Sequence, residues 1–142
     1  MGTSSDLVRE WFERVWNNGD ASYIDKAICS ECELTGLDSE TIKSPADFHR
    51  FHQMLNSLFS DMTIDINHLI DAGDTFAGVV TVNGTHIATG RPVSFRSSCF
   101  GTLREGQIYH VTNLVDYLSV LIQVGALPSE VIAQGLAGEA AL

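Results

Sequence analysis

Basic residues are scarce in this chain. Eight Lys and Arg stand against eighteen Asp and Glu in 142 residues, a formal net charge of −10. A nucleic-acid partner needs a face of Lys and Arg to meet its phosphates, and so does an anionic membrane surface, so both are excluded as expected partners. Long apolar runs are missing as well; none approaches the roughly 20 residues of a membrane span. The opening, MGTSSDLVREWF, has no basic segment leading into an apolar core. No secretory signal is therefore expected, and the cytoplasm is the expected location. Cysteine is limited to Cys29, Cys32 and Cys99, an odd number that suits reduced thiols better than a disulfide framework. What is present is a globular composition, 44% hydrophobic, in a length that fits one domain over residues 1–142 with a real core.

Helical signals dominate the first third. Ser4 or Ser5 suits an N-cap, and Asp6 and Glu10 favour the positive end of the dipole. Leu7, Trp11 and Val15 form one apolar line and Val8, Phe12 and Trp16 a second, until Asn17-Asn18-Gly19 ends the helix. Ser22 with Asp25 resembles a capping box for a short second helix to about Cys29. Residues 30–43 read as an irregular connection with at most one short strand. Ser44-Pro45-Ala46-Asp47 then starts a third helix, with Phe48, Phe51, Leu55 and Leu58 as its buried stripe.

Past Asp61 the period drops to two. Met62, Ile64 and Ile66 alternate with polar residues, and turns fall at Asp71-Ala72-Gly73-Asp74, Thr89-Gly90-Arg91-Pro92 and Glu105-Gly106. Asn83-Gly84 allows either a hairpin or a long strand with Gly84 at a bulge; the short arms of the hairpin favour the bulge. Ile108, His110, Thr112 and Leu114 alternate with Tyr109, Val111, Asn113 and Val115 in a last strand. From Val115 the spacing becomes helical, with Gly125 and Pro128 as stop signals. Asp116 falls where that strand meets the helix. Residues from Ser129 read as a further helix carrying Val131, Ile132 and Leu136 on one side. The order is α+β: three helices, about four antiparallel strands curling around helices one and three, then a helix.

Other chemistry is poorly supported. Cys29-Ser30-Glu31-Cys32 is a lone CxxC without the second pair of a structural zinc site. His49 and His52 share a helix flank with Asp47, but a solvated face is the expected role, and no metal site is assigned. No phosphate-cradling loop or Ser-His-Asp order is recognisable.

An ordered set of short motifs points further. Trp16-Asn17-Asn18-Gly19-Asp20, Phe59-Ser60-Asp61, Gly84-Thr85-His86, Thr89-Gly90-Arg91-Pro92-Val93, Gly106-Gln107-Ile108, and Asp116 followed by Gln123-Val124-Gly125-Ala126-Leu127-Pro128 resemble the SnoaL-like polyketide cyclases of the nuclear-transport-factor-2-like superfamily. That resemblance implies a cone-shaped, barrel-like fold, a curved antiparallel sheet wrapped around the N-terminal helices and enclosing an apolar pocket. It implies intramolecular aldol ring closure of a polyketide-like carbonyl compound, without metal or cofactor, by an aspartate acid/base. The matching position is Asp116. His86, on a strand lining the same cone, is the candidate assistant, and the pocket is expected among Trp11, Val15, Leu55, Phe59, Val80 and Thr112.

A homodimer through sheet faces is implied too. Two departures qualify the resemblance: His110 and Thr112 replace the family's usual acid and tryptophan, and Asn83-Gly84-Thr85 lacks the Arg-x-Asp pair of related epoxide hydrolases. An exposed aspartate, with an ordinary pKa of about 3.9, is a poor base, and an apolar pocket would raise it; Leu114, Leu118 and the aromatic face of the first helix are expected to supply that environment. The competing expectation is that Asn113-Leu114-Val115-Asp116 simply begins a helix, with Asn113 as cap and Asp116 as an N3 acid. The chain would then be a non-catalytic ligand-binding or dimeric assembly module of the same fold.

Overall fold

The first helix, α1 (Ser4–Trp11), runs without a break into a π-helical turn over Phe12–Asn17. The computed structural model describes residues 4–139. The i→i+5 bonding of the π turn changes the pitch where the two apolar lines meet, and Trp11 and Val15 are buried while Phe12 and Trp16 pack against the same core. A short α2 (Ser22–Ala27) leads directly into β1 (Ile28–Thr35), and α3 (Pro45–Leu58) follows a loop. Ser44 caps α3 by accepting from the Asp47 amide at 3.1 Å, and the Asp47 carboxylate accepts from the Lys43 amide at 3.0 Å. The two ends of the helix start are thus satisfied reciprocally.

Four long strands follow: β2 (Phe59–Ala72), β3 (Thr75–His86), β4 (Pro92–Arg104) and β5 (Gln107–Val115). They pair antiparallel, and β1 joins the far edge parallel to β5, giving the order β1-β5-β4-β3-β2. The sheet is therefore mixed, not wholly antiparallel, and β1 is an eight-residue strand within what reads as an irregular connection. Its pairing is interrupted between Ile28 and Glu33, which breaks the alternation that would have marked it. The β4–β5 turn has positive φ at both Glu105 and Gly106, the signature of a type I′ hairpin.

Bulges bend this sheet. Opposite Gly84, β2 carries two residues, Asp61 and Met62, where β3 carries one. Residues 75–86 thus form one long strand, and a side chain at Gly84 would press on Met62 and the Ser60 carbonyl at 3.2 and 3.3 Å. The result is an α+β cone: the curved, open five-stranded sheet covers α1, its π turn and α3. Two short helices, α4 (Tyr117–Gln123) and α5 (Val131–Leu136), complete the chain.

The helix–sheet core is aromatic. Phe48 meets Trp11 edge-on at 4.9 Å and Trp16 and Phe51 at 6.1 and 5.8 Å, arrangements that add to simple burial. His52, expected on a solvated flank, is instead buried under Trp16 and donates from Nε2 to the Val15 carbonyl at 3.0 Å. His49 is the histidine that faces outward, paired with Asp25 at 3.0 Å. Burial holds the His52 pKa below its ordinary 6.5, and the neighbouring His49 adds to that.

The unfolded chain therefore takes up a proton more readily than the folded one below that value. The stabilisation from neutral His52 is complete above pH 6.5 and is withdrawn as pH falls through 6.5 toward the lower folded value. Thermal melts between about pH 8 and 5 should show the midpoint falling over the acidic part of that range. His52→Gln, which keeps a donor for the Val15 carbonyl, should flatten that fall; an unchanged slope would remove His52 as its cause.

Candidate functional site: an apolar cavity inside the cone

The helices do not fill the cone. Between them and the inner sheet face lies a cavity of about 560 Å³, within the range of small-molecule sites, about 300–1,000 Å³. Its helical wall is Val8, Trp11, Phe12 and Trp16 from the first helix and Phe48 and Leu55 from α3. Its sheet wall follows the period-two alternation of each strand. Phe76, Val80 and Val82 face in from β3, and Val93, Phe95, Ser97 and Cys99 from β4. The lining residues that reach solvent, among them Asp38, Ser39, Met54 and Leu58, form its rim.

Of the residues that the sequence points to for a pocket, Trp11, Leu55, Phe59 and Val80 line this space. Val15 does not; it is fully buried in the core behind the helical wall. Thr112 is also outside, exposed on the opposite face of β5 with Leu114, which is 73% exposed. The reason is a one-residue bulge. Leu103 pairs with Ile108 and Thr102 with His110, so Tyr109 is an extra residue on β5. Ile108 faces the cavity, but beyond the bulge the parity reverses, and Val111, Asn113 and Val115 face it instead.

Asp116 lies just past this strand and is exposed. Its backbone N–H closes the sheet by donating to the Arg96 carbonyl at 3.0 Å. Its carboxylate accepts from the Ser119 amide at 3.1 Å, which makes Asp116, not Asn113, the N-cap of α4. The carboxylate is outside the cavity lining, although its neighbours Val115 and Tyr117 are both part of it. Leu118, at 40% exposure, does not enclose it. His86 is half-buried at the far end of β3, bonded through Nδ1 to the Thr89 hydroxyl at 2.8 Å and packed on Phe59 at 5.4 Å. No hydrogen bond among the described residues brings it to Asp116.

The loop after β1 closes one side of the rim. Asn113 Nδ2 donates to the Thr35 carbonyl at 3.0 Å, and the Tyr117 hydroxyl donates to the Leu37 carbonyl. Gly36 permits this approach: at φ +85°, a Cβ there would sit 1.8 Å from the Asn113 carbonyl oxygen. Burial, with Asp38 nearby, pushes the Tyr117 phenol pKa up, so it stays a neutral donor. On the other side of α4, Gln123 accepts from the Ser94 amide and donates to the Ser94 carbonyl, both at 2.8 Å, holding the helix across the end of β4. Val120 and Tyr117 thereby close that end of the cavity.

The CxxC cysteines are core residues, 4% and 5% exposed, and burial drives the Cys32 thiol pKa up to about 11. Among the described residues, no lysine, arginine or histidine lines the cavity, and Asp38 at the rim is its one carboxylate. A site of this kind offers a hydrophobic molecule shape, aromatic contact and a few neutral hydrogen-bonding groups.

Residues 6–124 match the family model of SnoaL-like polyketide cyclases. No curated protein matches the sequence. Among solved structures, the fold is similar to that of IdmH, a candidate polyketide cyclase from Streptomyces antibioticus, with a TM-score of 0.76 and 24% identity over 87% of this chain and 99% of that one. It is also similar to AclR, a candidate hydroxylase from Streptomyces galilaeus (TM-score 0.77, 21% identity, 88% and 97% covered). An NTF2-like protein from Burkholderia thailandensis gives a TM-score of 0.72 and 24% identity, with 84% and 95% covered. At these identities the likeness concerns the fold.

Cys99 gives the cavity a reporter. It is the one half-buried cysteine, its Sγ faces the cavity, and burial raises its pKa, so its alkylation is slow. At about pH 8.5, a small alkylating reagent should modify Cys99 ahead of Cys29 and Cys32 as read by peptide mass spectrometry. A hydrophobic occupant should slow that reaction several-fold; no protection at saturating occupant would place the ligand elsewhere.

Proposed function

The chain belongs to the SnoaL-like polyketide cyclase family, and we propose that its cone takes up a hydrophobic, carbonyl-bearing, polyketide-like molecule and holds it folded for ring closure. The observation that carries this reading is the apolar cavity of about 560 Å³, walled by Trp11, Phe12, Trp16 and Phe48 on one side and the inner sheet on the other. A flexible chain confined there loses its extended conformations, and its reacting carbons approach each other. Ring closure joins two parts of one molecule, so what confinement contributes is part of the rotational entropy that the free chain must give up to fold. No cofactor is part of the proposal.

A second reading adds acid/base chemistry by Asp116, assisted by His86. It is favoured by the position of Asp116 between two lining residues, Val115 and Tyr117. It requires the carboxylate to leave the Ser119 amide and turn inward. Asn caps a helix about as well as Asp, so Asp116→Asn separates the two roles, whereas Asp116→Ala should cost about 1 kcal/mol of stability through the lost cap. With confinement alone, Asp116→Asn should keep cyclisation of a carbonyl substrate within about threefold. A loss of about 10²-fold or more with an unchanged melting temperature would overturn that and assign Asp116 the proton transfer.

The proposed assembly is a homodimer through the outer sheet face. Ile70, Ala77, Phe100 and Thr112 follow one another across β2–β3–β4–β5 on that face, with Leu114 beside them. Ile70, Phe100 and Leu114 are 70%, 56% and 73% exposed, an apolar row suited to self-association. Phe100→Glu combined with Leu114→Lys should convert a dimer to a monomer in sedimentation; a wild-type protein that is monomeric at high concentration would refute this assembly.

A further inference from the structure

The cavity wall is not uniformly apolar. On the inner face of β4 and β5, Cys99 pairs directly with Asn113, and Ser97 lies two residues along β4, paired with Val115. Ser97 and Asn113 are therefore diagonal neighbours on one wall, with side chains within reach of a common molecule. Both line the cavity. Asn113 uses Nδ2 on the Thr35 carbonyl, which fixes the amide so that Oδ1 is left as an acceptor. The Ser97 hydroxyl has no hydrogen-bond partner among the described residues, and no buried side-chain oxygen or nitrogen among them lacks one, so the Ser97 oxygen is open to the cavity and not sealed in the wall.

The other polar side chains nearby are already engaged. Asn83 bonds Asp65 and Ser94, and the Tyr117 hydroxyl bonds Leu37. Across the cavity stand the rings of the first helix and α3, which offer the aromatic face of a ligand stacking and edge contacts but no acceptor.

Resting on the reading of the cone as a hydrophobic-ligand site, we propose that Ser97 and Asn113 form its polar recognition edge. The preferred ligand is a neutral, largely aromatic or polycyclic molecule that presents one hydroxyl donor and one carbonyl acceptor on the same edge. The hydroxyl donates to Asn113 Oδ1, and the Ser97 hydroxyl donates to the carbonyl. Cys99 lies between them as a soft, weakly polar contact. Anionic ligands are disfavoured, because no cationic side chain lines the cavity and a buried carboxylate without a counter-charge loses its hydration uncompensated. The site thereby selects ligands whose acidic groups are enolic or phenolic and neutral, and rejects free acids of the same skeleton.

Four probes of one skeleton test this: anthracene, anthraquinone, 2-hydroxyanthraquinone and anthraquinone-2-carboxylate. Binding is followed by quenching of Trp11 and Trp16, at about pH 6 so that the phenol stays neutral. Two neutral hydrogen bonds correspond to about tenfold or more in affinity, so 2-hydroxyanthraquinone should bind about tenfold tighter than anthracene, and the carboxylate about tenfold weaker than anthraquinone. Ser97→Ala removes a group without a protein partner, so the fold should be unaffected. It should weaken the two neutral quinones about three- to tenfold while leaving anthracene unchanged. Asn113→Ala should reduce the advantage of the hydroxyl, with its melting temperature measured alongside because the bond to Thr35 is lost.

Anthracene binding as tightly as the hydroxyquinone, or an advantage undiminished by Ser97→Ala, would overturn the recognition edge and leave the cavity reading intact. Failure of all four probes to bind would overturn both.

Discussion

The curvature of the sheet is the constraint on which the rest of this structure depends. Strands bend where one carries an extra residue, and here the bends are built in at Asp61 and Met62 opposite Gly84, between Ile66 and His68, and at Tyr109. A flatter sheet would let α1, α3 and the inner strand faces close on one another into a solid core. Bent as it is, the sheet meets the helices along the region around Phe48, Ile24 and Ile28 and stands away from them elsewhere. The aromatic contacts of Trp11, Trp16, Phe48 and Phe51 brace the helical side. The space remains open because large rigid rings line it and do not collapse into it.

Much of this was legible in the residues. Helix starts followed from local chemistry, as at Ser44-Pro45-Ala46-Asp47, where cap and proline leave few alternatives. The long strands followed from period-two alternation. Two of the misses share a cause. Strand β1 and the inward face of β5 both depend on bulges, and the shift that a bulge makes in the alternation is marked by no residue type between Ile28 and Glu33 or at Tyr109. Ile108 signals one face correctly, yet Thr112, four residues on, is outside because Tyr109 shifted the register.

His52 was hidden for a different reason. Its burial depends on the Val15 carbonyl, 37 residues earlier, being left available by the π-helical turn. Pairwise spacing along α3 carries no trace of that. The lead pointing to Asn113, in turn, was its alternation with Thr112, but sequence alone gave no ground for preferring either face.

The likeness in fold to both IdmH and AclR sets a limit on what architecture can say about reaction, since a candidate cyclase and a candidate hydroxylase share it. What distinguishes members must then lie in the side chains inside the cone. In this chain those are mostly hydrocarbon, with neutral Ser97, Cys99 and Asn113 on the sheet wall and the phenol of Tyr117 at one end. The carboxylate with the strongest claim by resemblance, Asp116, is engaged at a helix end where a cap is needed.

Positioned acid/base catalysis is worth about 10²–10⁴-fold. The proposed ring closure is intramolecular with or without the protein, so the walls would contribute by restricting the bound chain to its folded conformers. That contribution would come from the shape and hardness of the walls and not from any single carboxylate. A polyketide-like chain is also acidic at the carbon between two carbonyls, so its enol form is accessible without a strong base. A neutral edge that binds one hydroxyl and one carbonyl would favour that enol over the open diketone. Asn113 and Ser97 would then act on the reactive tautomer directly, and the cone could promote ring closure with its aspartate left at the helix end.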